Sequence, residues 1–241
     1  MRLNGLYVVA DMAIRELDHP LVHRYRKALI LGSLREDVWY IPATGIVFEH
    51  LSFSHFYRPG LPGGLIPFLW PGPRRKAEKF FARGVAEHRA GRTASGFVQL
   101  GRVVHLMTDM CCPVHAHRTI HETDPYEWYV EANKKKLGAL PVPPAPPGRS
   151  ASELIDSMAR FTQAYATDGT NHRIGWVMKR LGLWKSVTAG VAGEQAHDLI
   201  PMAAAHTVAL LRLYLDEIGA GAGSARAARA RPQGGDAPEL P

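Results

Sequence analysis

The chain has 241 residues, of which 46% are hydrophobic and 21% charged, so it has enough apolar residues for one or two globular domains with a sizeable core. The formal net charge is +7, but the basic residues cluster in short runs that are usually solvated surface. No apolar run approaches the roughly 20 residues of a membrane span. The two cysteines, Cys111 and Cys112, are adjacent, which excludes a disulfide framework, and we interpret both as small buried hydrophobic residues.

The first 17 residues do not match a secretory signal peptide. Asp11 interrupts their apolar stretch, and no small-residue cleavage pattern follows. As written, the chain is expected to be cytoplasmic, and it is expected to be secreted if its true start lies upstream.

Helical periodicity dominates the sequence and alternating strand patterns are nearly absent, which predicts an all-α protein. The predicted helices cover 4–17, 20–34, 74–90, 94–111, 125–138, 151–166, 171–183 and 194–218. Residues 37–73 lack a period but are rich in aromatic residues, Gly and Pro, so we expect a packed, functional loop there. Residues 1–219 are predicted to form one helical domain, and the low-complexity residues 220–241 a disordered tail.

Metal-ligand residue types are concentrated between residues 105 and 127. His105 and Asp109 are four residues apart and therefore share one helix face, and Pro113 ends or kinks that helix before His115. Imidazole and carboxylate are the ligands that zinc prefers at hydrolytic sites, and a carboxylate between two histidines can bridge two metals. The spacing predicts half of a multinuclear metal site; the alternative is a pair of core histidines hydrogen-bonded to the backbone.

The residues that follow also match the start of a helix. Asp124 is suited to the N-cap, Pro125 to the first helical position and Glu127 to the third. Capping alone explains both acidic residues, so from spacing alone their metal role stays open.

Taken in order, these motifs resemble the zinc-dependent phospholipase C family, which shares its fold with single-strand-specific fungal nucleases. The centre of the resemblance is the pattern H-x3-D-x5-H, with a proline two residues before the last histidine. The upstream segments LILGSLREDVWY and LSFSHFYRPG and the downstream segment DPYEWYV resemble further parts of the family pattern. The resemblance spans residues 6–218 and implies a single multi-helix domain of that type, with a long aromatic loop.

The resemblance implies a set of candidate zinc ligands: His55, His105, Asp109, His115, His121, Asp124 and Glu127. The first three would hold one metal, and the others a second. The family has a second-metal histidine where this chain has Thr123, so either His121 or Asp124 must complete that site. We favour His121 because imidazole restores the ligand type.

Two further positions follow from the resemblance. Asp37 corresponds to the family carboxylate that orients or deprotonates the attacking water, so it is the predicted catalytic residue. Leu6 stands where the family has a histidine for a third metal, so we expect two zinc ions and an absent or impaired third site.

The predicted function is zinc-dependent hydrolysis of a phosphodiester, with a phospholipid or a related molecule as substrate. One alternative is a single-strand-specific nuclease, which the positive charge favours. The other is a non-catalytic helical binding protein that zinc stabilises.

Overall fold

The computed structural model describes residues 1–35, 54–64, 71–119, 124–167, 180 and 187–221. Within these ranges the regular structure is helical and contains no strand, so the all-α prediction is confirmed. The helices are α1 (Leu3–Leu17), α2 (Pro20–Arg24), α3 (Arg26–Leu34), α4 (Pro73–Arg89), α5 (Thr93–Met110), α6 (Pro113–Ala116), α7 (Pro125–Ala132), α8 (Lys134–Leu137), α9 (Ala151–Thr162) and α10 (Ala189–Glu217).

Two predicted helices are each divided in two. The span 20–34 breaks at Tyr25, whose ψ of 16° leaves the helical range and whose ring stacks on Phe97 at 5.1 Å. The span 125–138 breaks at Asn133, whose side-chain amide donates to the Tyr129 carbonyl and competes with the backbone. The predictions missed these interruptions because neither involves a change in the apolar pattern.

Other helix boundaries also differ from the predictions. Helix α9 ends at Thr162 rather than 166, and α10 begins at Ala189 rather than 194, where the Thr188 hydroxyl accepts from the Val191 amide. The predicted helix 171–183 lies outside the described residues except for Arg180, and the predicted tail lies outside them beyond residue 221.

Helix α5 lies at the centre of the fold, with α3 and α4 packed along it. Gly32 of α3 and Gly101 of α5 allow the first of these contacts, because a Cβ at Gly101 would lie only 2.7 Å from the Cα of Gly32. This close approach places the C-terminal end of α3 beside the polar C-terminal half of α5.

Helix α10 packs against α1 and α7, and α9 packs against α4. By length and composition alone α10 is long and apolar enough to cross a bilayer. However, 72% of its most apolar window is buried against the rest of the fold, as in the core helix of a globular domain.

Part of the predicted aromatic loop 37–73 is described, namely residues 54–64 and 71–72. The amide of Tyr57 donates to the His115 carbonyl at 3.0 Å. The Arg118 guanidinium donates to the carbonyl oxygens of Pro62 and Gly64. These contacts fasten residues 54–64 to the chain around α6, and so place His55 over the C-terminal end of α5.

Candidate metal centre

The first ligand group lies at the C-terminal end of α5. His105 and Asp109 are fully buried, and His105 Nε2 lies 3.2 Å from Asp109 Oδ2. His105 Nδ1 is 2.8 Å from the Ser33 carbonyl oxygen. Because a carbonyl oxygen only accepts, this contact places a proton on Nδ1 and leaves Nε2 as the nitrogen that faces the carboxylate. Helix α3 therefore supplies the partner that orients the imidazole.

His55 joins this group from the loop. Its Nδ1 is 2.8 Å from Asp109 Oδ2 and 3.5 Å from His105 Nε2. One donor atom from each of the three residues lies within 4.8 Å of the other two. The His55 side chain is 14% exposed whereas the other two are fully buried, so solvent reaches the group from the His55 side.

A second ligand group forms around the short helix α6. Cys112 precedes that helix, Pro113 is its first residue and His115 lies within it. Glu127, on α7, places Oε1 3.9 Å from the Cys112 sulfur. Cys112, His115 and Glu127 each offer one donor atom within 4.8 Å of the other two.

Asp109 connects the two groups through its two oxygens. Oδ2 faces His55 and His105, whereas Oδ1 lies 3.4 Å from His115 Nδ1. Nitrogen and oxygen ligands of one tetrahedral zinc are separated by about 3.4 Å, as zinc–ligand bonds of about 2.1 Å require. Imidazole nitrogens, carboxylate oxygens and a sulfur at these separations fit zinc in type and spacing.

The α-amino group of Met1 also lies in this centre. Its nitrogen is 2.7 Å from Asp109 Oδ1 and 2.9 Å from Glu127 Oε1, and it is fully buried. Two buried carboxylates thus share one positive charge, as buried ions require. Leu6, one turn further along α1, is fully buried in the core and brings no donor atom.

The buried charges shift the pKa values of the acidic groups. Burial alone would raise the pKa of the Asp109 carboxyl, but the Met1 ammonium and the surrounding imidazoles hold it well below its usual value. For Cys112, burial and the carboxylates of Asp124 and Glu127 raise the pKa of the thiol well above its usual value. Burial likewise raises the pKa of Cys111 to about 12.

Five of the predicted ligands come together in the two groups, namely His55, His105, Asp109, His115 and Glu127. Asp124 acts as the predicted N-cap of α7, because its Oδ1 accepts from the Glu127 amide at 3.1 Å. Within the described part of the chain Asp124 belongs to neither donor group. Asp37 and His121 lie outside the described residues, so their roles stay predictions.

Three features of this centre were not predicted. Both cysteines were interpreted as small buried hydrophobic residues, and both are fully buried in the core. The presence of Cys112 in a donor group was not predicted, although its position three residues before His115 and just before a proline could have marked it. The Met1 amino group and the Ser33 carbonyl are backbone atoms that reach the centre from 108 and 72 residues away. No local motif indicates contacts of that kind.

No family model matches the sequence. A phospholipase C of Listeria monocytogenes is 30% identical to the chain over 92 residues, which are 36% of this chain and 32% of that protein. The matched segment is therefore about a third of the length of the relative.

Two solved structures share the fold. The alpha-toxin of Clostridium perfringens from an avian strain superposes with a TM-score of 0.61 at 14% identity, covering 92% of this chain and 65% of the toxin. The alpha toxin of Clostridium absonum gives a TM-score of 0.59 at 14% identity, covering 90% of this chain and 65% of that chain. The chain has the all-α fold of these two toxins, so the predicted fold class is confirmed, and the match to a phospholipase C agrees with the resemblance found in the sequence.

Proposed function

We propose that the chain is a phospholipase C-like, zinc-dependent phosphodiester hydrolase. The observation that carries the proposal is the convergence of both ligand groups on Asp109, whose two oxygens face different groups. A pair of adjacent metal sites joined by one carboxylate is the arrangement used to hydrolyse phosphate esters. The resemblance to a Listeria phospholipase C supports a phospholipid substrate.

The described residues would hold and orient the metals. His55 and His105 offer nitrogens on one side of Asp109, while His115 and Glu127 offer donors on the other. When bound, zinc would polarise a phosphoryl oxygen and lower the pKa of a coordinated water toward neutrality. The Ser33 carbonyl keeps the His105 ring in the orientation this binding needs.

Asp37 is the proposed general base, which orients the attacking water and accepts its proton. In phospholipase C-type hydrolysis the water oxygen bonds to phosphorus and the bond from phosphorus to the glycerol oxygen breaks. The products are a diacylglycerol and a phosphorylated head group. The proton that Asp37 takes from water passes on to the departing glycerol oxygen, which leaves as the hydroxyl of the diacylglycerol.

The first test measures zinc by elemental analysis and then hydrolysis of phosphatidylcholine vesicles by the zinc-loaded chain. We expect two zinc ions per chain and release of phosphocholine. Preferential cleavage of single-stranded DNA would instead identify the chain as a single-strand-specific nuclease. Zinc binding with no hydrolysis of either substrate would indicate a zinc-stabilised binding protein.

A pair of variants separates catalysis from metal binding. Asp37→Asn should keep its zinc but lose about 100-fold to 10,000-fold in rate, since it removes a general base. Asp18→Asn is the matched control, because Asp18 is exposed and has a φ of 44°, a conformation that asparagine tolerates. Unchanged hydrolysis by Asp37→Asn would exclude Asp37 as the base.

A further inference from the structure

Cys112 belongs to the second donor group, for which this chain lacks the histidine of the family pattern. We propose that Cys112 is a metal ligand, binding zinc through its thiolate together with His115 and Glu127. This inference rests on the proposed metal centre and adds a sulfur ligand to it. The second site would then contain nitrogen, oxygen and sulfur, and Thr123 would need no imidazole substitute.

The distance between sulfur and carboxylate fits shared coordination. Zinc binds thiolate sulfur at about 2.3 Å and carboxylate oxygen at about 2.1 Å, so at a tetrahedral angle the two ligand atoms are about 3.6 Å apart. The Cys112 sulfur lies 3.9 Å from Glu127 Oε1. A shift of a few tenths of an ångström in the Cys112 and Glu127 side chains would bring the two atoms to the separation expected for two ligands of one zinc ion.

The backbone fixes Cys112 between two other residues of the centre. Its amide donates to the Asp109 carbonyl at 3.0 Å, and its carbonyl accepts from the His115 amide at 3.0 Å. These bonds close two successive tight turns, which join Asp109, Cys112 and His115 at intervals of three residues. Pro113 makes the turn stiffer, because its ring fixes φ at the first position of α6. The main chain therefore holds Cys112 between Asp109 and His115, and the packing of α7 sets Glu127 beside its sulfur.

Cys111 differs from Cys112 although both are fully buried. The sulfur of Cys111 accepts a hydrogen bond from the Tyr126 hydroxyl at 3.5 Å. In the described part of the chain Cys111 is not a member of either donor group. The two neighbours thus form a natural pair for experiment, because only the Cys112 thiol belongs to a described donor group, whereas the Cys111 sulfur accepts from Tyr126.

The decisive measurement is zinc X-ray absorption on the zinc-loaded full-length chain. We expect a sulfur at about 2.3 Å, distinct from nitrogen and oxygen at about 2.0–2.1 Å. Averaged over two zinc ions, one sulfur ligand contributes about half a sulfur per zinc. Loading with Co²⁺ instead should give a thiolate-to-cobalt charge-transfer band in the near ultraviolet.

Two variants assign the sulfur. Cys112→Ser should abolish both the sulfur shell and the cobalt band, and Cys111→Ser should keep both. If Cys112→Ser does not fold, Cys112→Asp offers an oxygen ligand in place of the sulfur and should bind zinc without a sulfur shell. If neither variant folds, the spectra of the wild type and Cys111→Ser decide the question. Zinc bound without a sulfur neighbour in the wild type, or a sulfur signal lost in Cys111→Ser but kept in Cys112→Ser, would overturn the inference.

The outcomes also separate this inference from the proposed function. A zinc–sulfur shell in a chain that hydrolyses no diester would keep the ligand and reject the enzyme. A zinc-loaded chain that hydrolyses phospholipid and shows no sulfur would do the reverse. A chain that binds neither Zn²⁺ nor Co²⁺ at neutral pH would reject both.

Discussion

The two ligand groups of the centre differ in how far apart their residues lie in the sequence. His55, His105 and Ser33, which orients His105, come from three distant segments that meet at the end of α5. Cys112, His115 and Glu127 lie within 16 consecutive residues around one proline turn. The first group therefore depends on how the helices pack. In the second, the chain from Cys112 to His115 is set by local backbone geometry, and the packing of α7 adds Glu127. Asp109 connects them, since its Oδ2 faces His105 of the first group and its Oδ1 faces His115 of the second.

The largest effect is expected from Asp109→Asn. The amide keeps the shape of the side chain but removes the negative charge that faces both groups. Loss of an outer partner of a metal ligand costs about 10-fold to 100-fold in affinity, so loss of this shared ligand should exceed that. Elemental analysis should find close to no zinc, and hydrolysis should fall below detection. Normal zinc content in this variant would show that Asp109 is not shared.

The next largest effect separates the groups. His55→Ala should remove one zinc and leave the sulfur shell, whereas Glu127→Gln should remove the other zinc together with that shell. Each loses one donor of its own group only. Stoichiometry and X-ray absorption on both variants measure this. Loss of both ions in either variant would mean that the two groups bind metal as a single cooperative cluster.

A smaller effect is expected from Gly32→Ala. The added Cβ would lie 2.9 Å from the Cα of Gly101, so α3 must move away from α5 and carry the Ser33 carbonyl with it. Overpacking of this kind costs about 1–3 kcal/mol in the free energy of unfolding. Zinc affinity of the His55 group should fall by about 10-fold, and the Cys112 group should keep its affinity.

Thermal unfolding and zinc titration measure both effects of Gly32→Ala. Gly190→Ala is the matched control, because a Cβ there meets nothing closer than the Thr188 hydroxyl at 3.8 Å. An equal loss of affinity at both groups would contradict the difference between them.

The smallest effect concerns His206, a buried histidine outside both groups. Its Nε2 lies 3.1 Å from the Ser157 hydroxyl and its Nδ1 lies 2.9 Å from the Met202 carbonyl. Burial lowers its pKa below the usual 6.5, more than the hydrogen bond to Met202 raises it. Below pH 6.5 the unfolded chain therefore binds more protons at this residue, and the free energy of unfolding falls as pH falls.

His206→Gln should remove this contribution and flatten the pH profile relative to the wild type. The difference between the two slopes of unfolding free energy against pH cannot exceed about 1.4 kcal/mol per pH unit, because a single proton is involved. Chemical denaturation of the metal-free chains between pH 7 and pH 5 measures it. Parallel profiles for the two chains would show that the His206 pKa is not lowered.

Much of the centre could be predicted because its signals are local. The four-residue spacing of His105 and Asp109 places both on one face of α5, and in the structure His105 Nε2 lies 3.2 Å from Asp109 Oδ2. Asp124, Pro125 and Glu127 were predicted to start a helix, and they do. His55 carries no such local signal, and only its order relative to the other motifs indicated it.

The choice between the adjacent cysteines could not be predicted in the same way. Successive residues near a helix end point in different directions, and the direction of each depends on the turn at Pro113 and on what packs against it. Tyr126 contacts the sulfur of Cys111, and Glu127 lies near that of Cys112. Both partners are on α7, so the packing of that helix decides which thiol faces the centre.

The sequence by itself determined the helical class, the ligand face of α5 and the cap of α7, because each follows from spacing within a few turns. Only the tertiary structure decided that His55, the Ser33 carbonyl and the Met1 amino group meet at Asp109. Those contacts join residues separated by 54, 72 and 108 positions. They form when glycine contacts and apolar burial bring α1, α3 and α5 together, and no local periodicity encodes which distant backbone atom lies at that junction.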